Sequence, residues 1–340
     1  MTYLVQPRLV NEPFSDPSLV LDFRFGHRAL LFDIGDLTPL PPREIARVTH
    51  VFVSHMHMDH FAGFDRLLRF KLHQADTVHF IGPPGLGDAV DAKLRAYTWN
   101  LLDEESANFA IAAFEWSREG FGQCGAFRAR DAFWRRETDP PRYGSPDLLH
   151  DEEEFCVEGA MLDHGIPSLA FAFQEKLRVN VHKAALDGLG LPVGPWLKEA
   201  KRAMRRGDAV ETSIAISEQQ SMTLGQLLDG GALRTGRGQR IVYATDLAFH
   251  ASNFAQVVRL AREAGRLFIE AAFLNEDRAI AASKRHLTAA QAGAIARAAG
   301  VKQAIPMHFS SRYVGRESVL RSEFEASLAG LDDRPQVLSA

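Results

Sequence analysis

Cysteine is scarce in this chain, since its 340 residues contain only Cys124 and Cys156. Two cysteines provide no disulfide framework, and such scarcity is typical of a protein that works in a reducing compartment. We therefore expect a cytoplasmic location. The first residues also lack a basic stretch followed by an apolar one, so we expect no secretory signal.

Long apolar runs and a dominant charge sign are missing as well. No run reaches the roughly 18 apolar residues that suggest a membrane-spanning helix, so we expect no membrane association. The net charge is -4, which does not indicate a general nucleic-acid binder, and an RNA partner would need a local basic patch. No repeat of fixed period is evident either.

The apolar pattern predicts an α/β protein with two mixed sheets and helices outside them. Residues 175–235 interrupt this pattern with glycine, proline and basic residues, so we expect one catalytic domain over 1–340 with an inserted segment at 175–235. Thr288 and Gln291 form a capping box at a helix start. The predicted strands are 19–23, 29–32, 48–53, 78–81, 110–116, 155–162, 169–173, 240–244, 266–269 and 303–307; the predicted helices are 61–72, one after Gly85 to about Leu102, 253–264, 288–299 and 317–328.

The segment His55-Met-His-Met-Asp-His60 places four metal-ligand side chains directly after a strand-like run. Imidazole nitrogen and carboxylate oxygen suit zinc, and the absence of cysteine ligands indicates a hydrolytic site rather than a structural one. In an extended segment His55 and His57 project the same way and can share one ion. Asp59 and His60 come after this extended alternation ends, so they can reach a second ion.

Three other residues of ligand type follow strand-like runs: His164, Asp246 and His308. With the first segment they give seven ligands, enough for two ions if Asp246 bridges them. Taken alone, each of these residues is weak evidence for a metal site; an aspartate after a strand, for example, is often a helix cap. The remaining histidines lack this context and are expected to be structural or at the surface; these include His27, His73, His79, His150, His182 and His250.

Six motifs in this order resemble the metallo-β-lactamase superfamily, and within it the ribonuclease Z branch, whose members are endonucleases that trim transfer-RNA 3′ ends. The resemblance covers about residues 20 to 313. The motifs are His-x-His-x-Asp-His, Asp-His164-Gly-Ile-Pro-Ser, Tyr243-Ala-Thr-Asp246, Glu270-Ala-Ala-Phe273, His286-Leu-Thr-Ala-Ala-Gln291 and His308-Phe-Ser-Ser-Arg-Tyr313.

The resemblance implies a four-layer αββα sandwich with two zinc ions at one edge, which manganese or iron could replace. One ion would be held by His55, His57 and His164, the other by Asp59, His60 and His308, with Asp246 between them. His286 would protonate the leaving oxygen and Glu270 would orient it, while Asp59 would also steer the attacking water.

Such a site is suited to cutting a phosphodiester. Two ions about 4 Å apart can bind both the attacking and the leaving oxygen, and a zinc-bound water with a pKa of about 7 supplies hydroxide to attack phosphorus. A ribose 3′-oxygen leaves poorly, so a general acid contributes roughly 10²- to 10⁴-fold. The resemblance makes precursor transfer RNA the expected substrate, and it also suggests a homodimer.

A basic stretch within 175–235 is a candidate RNA contact. Family members carry a Gly/Pro-rich arm here that grips transfer RNA, and we expect Ser310 and Arg312 to contact substrate as well. The alternative is an ordinary solvated helix face. The basic residues recur at helical spacing, with only Glu199 opposed: Lys198, Lys201, Arg202, Arg205 and Arg206.

Departures from the family pattern leave the substrate open. Phe32-Asp-Ile-Gly-Asp-Leu-Thr38 stands where a Cys-Gly-Glu turn is common, and the usual Gly-Thr opening strand is not seen. A hydrolase of a small phosphodiester, such as a cyclic nucleotide, or of another ester is therefore the main alternative. A diiron redox protein is disfavoured because that branch usually has Glu where His57 stands, and a non-catalytic RNA-binding module would need no metal.

Overall fold

The structure is a computed structural model, described here over residues 3–24 and 26–331. Phe25, which stands between the predicted strands 19–23 and 29–32, lies outside these ranges. The two ends of the predicted domain, 1–2 and 332–340, lie outside them as well.

Two large mixed sheets form the centre of the molecule. The first contains eight strands in chain order, with parallel pairing from its third to its sixth strand. The second contains six strands, and the three that come last along the chain pair parallel to one another. In the described ranges the strands are β1 (Val5–Leu9), β2 (Leu19–Phe23), β3 (Ala29–Phe32), β4 (Val48–Phe52), β5 (Thr77–Gly82), β6 (Ala110–Ser117), β7 (Gly120–Arg128), β8 (Arg136–Glu137), β9 (Leu148–Asp151), β10 (Phe155–Asp163), β11 (Pro167–Glu175), β12 (Arg178–Val181), β13 (Ser213–Ala215), β14 (Ser221–Thr223), β15 (Leu233–Gly236), β16 (Arg240–Ala244), β17 (Arg266–Glu270) and β18 (Ala304–Met307).

Helices cover the outer face of each sheet. The capping box predicted at Thr288 is present, with its hydroxyl accepting from the Gln291 amide at 3.2 Å. In the described ranges the helices are α1 (Pro42–Ile45), α2 (Met58–Phe61), α3 (Phe64–Lys71), α4 (Leu86–Arg95), α5 (Lys183–Gly188), α6 (Trp196–Arg206), α7 (Leu224–Asp229), α8 (Ala251–Ala261), α9 (Arg278–Lys284), α10 (Ala289–Ala299) and α11 (Glu317–Ala329).

Alternation along the strands divides the interior into three apolar clusters. On β11, Phe171 and Phe173 face the cluster between the two sheets, whereas Ala170 and Ala172 face the cluster under α8 and α10. A third cluster lies between the first sheet and α1 to α4. These clusters give the order helix, sheet, sheet, helix, which confirms the predicted αββα sandwich.

Several element boundaries differ from the sequence prediction. The helix expected to reach about Leu102 ends at Arg95, and the Trp99 indole then donates to the Leu94 carbonyl at 2.9 Å, satisfying a group at the helix end. β1 was not predicted, because Pro7 interrupts its pattern; proline is tolerated there because β1 is an edge strand.

The segment between β12 and β15 forms a small unit, which we call the arm. β12 and β15 pair antiparallel at its base, and a separate apolar cluster that includes Trp196 and Leu227 fills it.

The division into one domain over 1–340 with an inserted 175–235 segment stays a prediction. Within the described ranges, no helix is both long and apolar enough to cross a membrane.

Candidate metal centre

Strand ends deliver the predicted ligands to one edge of the sandwich. His55 follows β4, His164 follows β10 directly, Asp246 comes two residues after β16, and His308 follows β18 directly. Both Asp246 and His308 have left-handed backbone, with φ of 49° and 55°. Non-glycine residues seldom adopt this conformation, which is found where the surroundings fix a functional side chain.

The predicted ligands gather into two groups that lie side by side. His55, His57, His164 and Asp246 form one group, and Asp59, His60 and His308 form the other, with the ligand atoms of each group within 4.8 Å of one another. These are the two sets that the family resemblance implies. The sequence placed every one of these side chains in a common site, and the structure brings all seven together.

Asp246 lies between the two groups. Its Oδ2 atom is 3.5 Å from the Nε2 atoms of His55 and His164 and 3.4 Å from that of His60. Its Oδ1 atom is 3.1 Å from Nδ1 of His308. A carboxylate in this position, only 2% exposed, can reach an ion in either group.

The donor atoms fit divalent cations. His55 Nε2 and His60 Nε2 are buried without a hydrogen-bond partner in the described structure, although buried polar groups are normally satisfied. Nitrogen and oxygen donors at this density suit zinc, manganese or iron. The residues present therefore fit the divalent-metal binding that the fold implies.

Hydrogen bonds on the far side of the rings orient the imidazoles. His60 Nδ1 lies 2.8 Å from Asp33 Oδ2, and His164 Nδ1 donates to the Arg285 carbonyl at 2.9 Å. His55 Nδ1 lies 3.0 Å from the Ser54 hydroxyl. In each ring this leaves Nε2 directed at the centre, which is the usual role of partners behind metal ligands.

Asp33 was not predicted as a site residue. It follows β3 directly, is fully buried and has left-handed backbone with φ of 55°. Its carboxylate accepts from the Ser54 amide and hydroxyl and from the Tyr243 hydroxyl, at 2.6, 2.8 and 2.9 Å. The rule that identified Asp246, a carboxylate after a strand, also identifies Asp33.

The carboxylates draw positive charge to the site. Burial opposes the charged form of His60, but Asp246 and Asp33 outweigh it and raise the pKa of His60 to about 10. Burial likewise opposes the charge on His308, and Asp246 again outweighs it and raises the pKa. His55 behaves differently, because burial, followed by the neighbouring His60, lowers its pKa to about 2. Metal binding to this site must displace protons and is therefore pH-dependent.

Glu270 and His286 form a pair beside the metal ligands. Glu270 is fully buried; its Oε1 accepts from the Leu247 amide at 2.7 Å, and its Oε2 lies 2.8 Å from His286 Nδ1. Burial opposes the charged form of His286, but Glu270 outweighs it and raises the pKa. The His286 ring centroid is 5.0 Å from that of His164, so the ring borders the centre.

A cavity of about 420 Å³ opens beside the centre. Ser310, a predicted substrate contact, lines it, whereas Arg312 lies on an exposed 3-10 turn and is not in the lining. The predicted site residues Asp59, His286 and His308 line it as well. The sequence assigned no role to the following lining residues: Phe14, Ser15, Asp16, Phe273, Lys284 and Phe309.

The predicted basic face does form on a helix, α6, but much of it is paired within the molecule. Arg205 lies 2.9 Å from Glu154, and Arg202 lies 3.3 Å from Glu153. Arg206 pairs with two acids of the arm itself, and burial lowers the pKa of Lys201. Lys198 is exposed.

The acidic run 151–154 begins at the last residue of the edge strand β9, and its carboxylates are ion-paired. Asp151 pairs with Lys176 at 2.7 Å and Glu152 with Arg28 at 2.7 Å, while Glu153 and Glu154 bind α6. The run therefore holds the arm against the body of the protein.

Comparisons with known proteins agree with this geometry. The family model described as "Beta-lactamase superfamily domain" matches residues 26–118 and 206–309. Ribonuclease Z of Deinococcus radiodurans is 30% identical over 333 residues, which are 96% of each chain, and ribonuclease Z of Rippkaea orientalis is 28% identical over 83% of this chain and 76% of its own. The crystal structure of the short form of human tRNase Z superposes with a TM-score of 0.51 at 18% identity, covering 90% of this chain and 93% of that one. The chain therefore belongs to the ribonuclease Z branch of the metallo-β-lactamase superfamily.

Proposed function

We propose that this chain is an endoribonuclease that processes the 3′ end of precursor transfer RNA with two divalent cations, zinc in the first instance. The observation that carries the proposal is the pair of ligand groups sharing Asp246, with the Glu270–His286 pair beside them. The ribonuclease Z relatives, similar over nearly the whole chain, support RNA as the substrate.

In the proposed centre, His55, His57 and His164 would hold one cation and Asp59, His60 and His308 would hold the other, with Asp246 placed between the two groups. When bound, such cations stabilise negative charge on the phosphoryl group and make water nucleophilic near neutral pH. Asp59 is suited to orient the attacking water, because its side chain is 40% exposed while the ligands around it are mostly buried.

His286 is the proposed general acid. Glu270 holds its Nδ1 at 2.8 Å and favours the protonated ring, so Nε2 can deliver a proton to the ribose 3′-oxygen as the bond to phosphorus breaks. Because Glu270 is fully buried and also bound by the Leu247 amide, it fixes the ring in place. Glu270 therefore acts as a positioning residue.

The arm is the proposed RNA contact outside the centre. Substrate phosphates would compete with Glu153 and Glu154 for Arg202 and Arg205, and they would meet the exposed Lys198 directly. Binding through such contacts weakens as salt rises. A homodimer and a cytoplasmic location remain predictions from the sequence and its resemblance.

The proposal is tested with zinc-loaded protein on two substrates. A precursor transfer RNA carrying a 3′ trailer should be cut endonucleolytically at the trailer. His286→Ala should slow this reaction roughly 10²- to 10⁴-fold, because the ribose oxygen needs a proton. Bis-p-nitrophenyl phosphate should be affected much less, since p-nitrophenolate leaves without protonation. His73→Ala, at an exposed histidine after α3, is the matched control.

Two results would contradict parts of the proposal. An equal loss on both substrates would mean that His286 supports the metal centre or the fold rather than the leaving group. Turnover of a small phosphodiester such as a cyclic nucleotide, without any cutting of precursor transfer RNA, would identify the enzyme as a small-substrate hydrolase of the same fold.

A further inference from the structure

A second concave site lies at the end of the second sheet away from the metal centre. It is a cavity of about 400 Å³ bordered by the first residues of β16 and β17 and by the residues just before β18. The metal ligands follow the opposite ends of β16 and β18. Strands of this length separate the two sites by roughly 15 Å.

The cavity is rich in cationic side chains, and we call it the cationic pocket. It is lined by Arg178, Arg237, Arg240, Arg266 and Lys302, with Tyr3, Gln239 and Gln303 and the single carboxylate of Glu263. The chain as a whole has a net charge of -4, so this concentration of positive charge is local. Concave sites lined by one sign of charge raise the local concentration of the opposite charge.

Ion pairing within the protein leaves part of this charge available. Arg240 is paired with Glu158 at 2.6 Å, and Arg237 lies 3.4 Å from the exposed Glu263. Arg266 bonds to a neutral partner, the Gln303 side chain, at 3.1 Å. Within residues 3–24 and 26–331, no ion pair joins Arg266 or Lys302 to a carboxylate.

The pocket joins the arm to the body of the protein. Arg178 begins β12, and Arg237 directly follows β15, so both belong to the base of the arm. Gly238 packs so closely there that an added Cβ would come within 1.9 Å of the Glu175 carbonyl oxygen. The Arg178 guanidinium lies 4.9 Å from the Tyr3 ring centroid, within the distance of a cation–π contact.

We propose that the cationic pocket binds a phosphorylated ligand of nucleotide size. Guanidinium groups match the geometry of phosphate oxygens, and the cavity volume is within the range of small-molecule sites. The phosphate group comes either from a free nucleotide or from a nucleic-acid backbone. A ligand held between Arg237 and the pair Arg266 and Lys302 links the arm to the body. The inference does not depend on the endoribonuclease assignment.

The test is calorimetric titration of the zinc-loaded protein with adenosine 5′-diphosphate at low salt. Wild type should show a binding event that Arg266→Gln/Lys302→Gln weakens by at least about tenfold, the effect of losing charge-assisted contacts. Arg43→Gln/Arg69→Gln, at two exposed arginines of α1 and α3, is the matched control and should bind like wild type. Unchanged melting temperatures without ligand would show that both variants are folded.

Hydrogen exchange localises the binding event. Bound adenosine diphosphate should slow amide exchange in 178–181, 233–236 and 263–267 of wild type but not of Arg266→Gln/Lys302→Gln. Protection confined to 55–60 and 286–308, or equal affinity in wild type and the pocket variant, would place the ligand at the metal centre and overturn the proposal. So would an absence of binding.

A second titration, with single-stranded RNA, distinguishes the two sources of the phosphate. If the pocket variant loses affinity for adenosine diphosphate but keeps that for RNA, the ligand is a free nucleotide. If both affinities fall together, the pocket holds RNA backbone.

Discussion

Two groups of histidines in this molecule have opposite electrostatic surroundings. The metal centre surrounds its imidazoles with carboxylates, and His60 is in contact with both Asp33 and Asp246. The other group lies on β4, β5 and β9, where the His50 ring stacks on His79 at 4.8 Å and lies 4.3 Å from His150.

The difference shows in the pKa values. In the metal centre, Asp246 and Asp33 overcome burial and raise the pKa of His60 to about 10. In the second group, burial and then the neighbouring His150 lower the pKa of His50 and of His79. Among the described residues, the side-chain sets that could hold a metal ion all belong to the first group. Several carboxylates converge on the imidazoles of the metal centre, whereas the carboxylate contact recorded for the second group is that of His150 with Glu152, at 2.8 Å. The arrangement of carboxylates, rather than histidine density, therefore distinguishes the two groups.

Removing the charge of Asp246, which lies at the middle of the metal centre, should have the largest effect on metal binding and activity. Asp246→Asn should reduce bound zinc and lower RNA cleavage by roughly 10³-fold, because the charge stabilisation that metal ions supply amounts to several kcal/mol. Elemental analysis together with the cleavage rate measures both effects. Asp229→Asn, on the exposed end of α7, is the control. Full zinc content in Asp246→Asn would contradict the proposed shared position of this carboxylate.

A smaller effect on the metal centre is expected from Asp33, which contacts the far side of the His60 ring. Asp33→Asn keeps the shape of the side chain but removes the charge facing His60, and we expect metal affinity to fall roughly 10- to 100-fold. Competition with a zinc chelator measures this affinity. Tyr243→Phe, which removes one donor to Asp33 and leaves its charge, should change it less. Equal effects of the two substitutions would mean that packing, not charge, matters at this position.

The smallest effect should come from the second group, as a dependence of stability on pH. Because the folded-state pKa of His50 is lowered, the unfolded chain binds a proton below about pH 6.5 and the folded chain does not. Stability is therefore present above that pH and falls as the pH falls below it, by up to about 1.4 kcal/mol per unit for one histidine. His79, His150 and Arg28 are the charged or titratable groups that act on His50.

His50→Phe removes this titration, so its free energy of unfolding should decrease less than that of wild type between pH 6.5 and 5.5. Denaturant unfolding at both pH values measures the difference. His73→Phe, at an exposed histidine, should keep the wild-type slope. The idea fails if His50→Phe and wild type lose the same free energy.

The sequence predicted the fold class and the convergence of seven side chains of ligand type because both depend on local patterns. Alternation on β11 and ligand residues after β10, β16 and β18 are visible in the chain itself. Asp33 obeys the same rule, since it comes directly after β3, but the rule alone gives it no role. Its importance depends on His60, Ser54 and Tyr243, which are brought to it only by tertiary contacts.

Charge pairing across distant segments was the part that local patterns could not predict. The basic residues of α6 were predicted to contact RNA, and nothing in the sequence connected them with the acidic run 151–154. Arg205 and Glu154 are 51 positions apart in the chain, yet their side chains lie 2.9 Å apart. No periodicity in either segment indicates that contact, because it depends on how the arm packs against the second sheet.

Left-handed backbone at Asp33, Asp246 and His308 has a consequence for transplanting this centre into another scaffold. At each of these positions one residue supplies both the turn and the side chain, with φ between 49° and 55°. Glycine would accept the turn but remove the functional group, whereas an ordinary strand end would keep the group and misdirect it. A designer must therefore copy main-chain geometry and chemistry together at three sites. The Glu270–His286 pair carries no such constraint at either residue, so its chemistry can be exchanged by side-chain substitution alone.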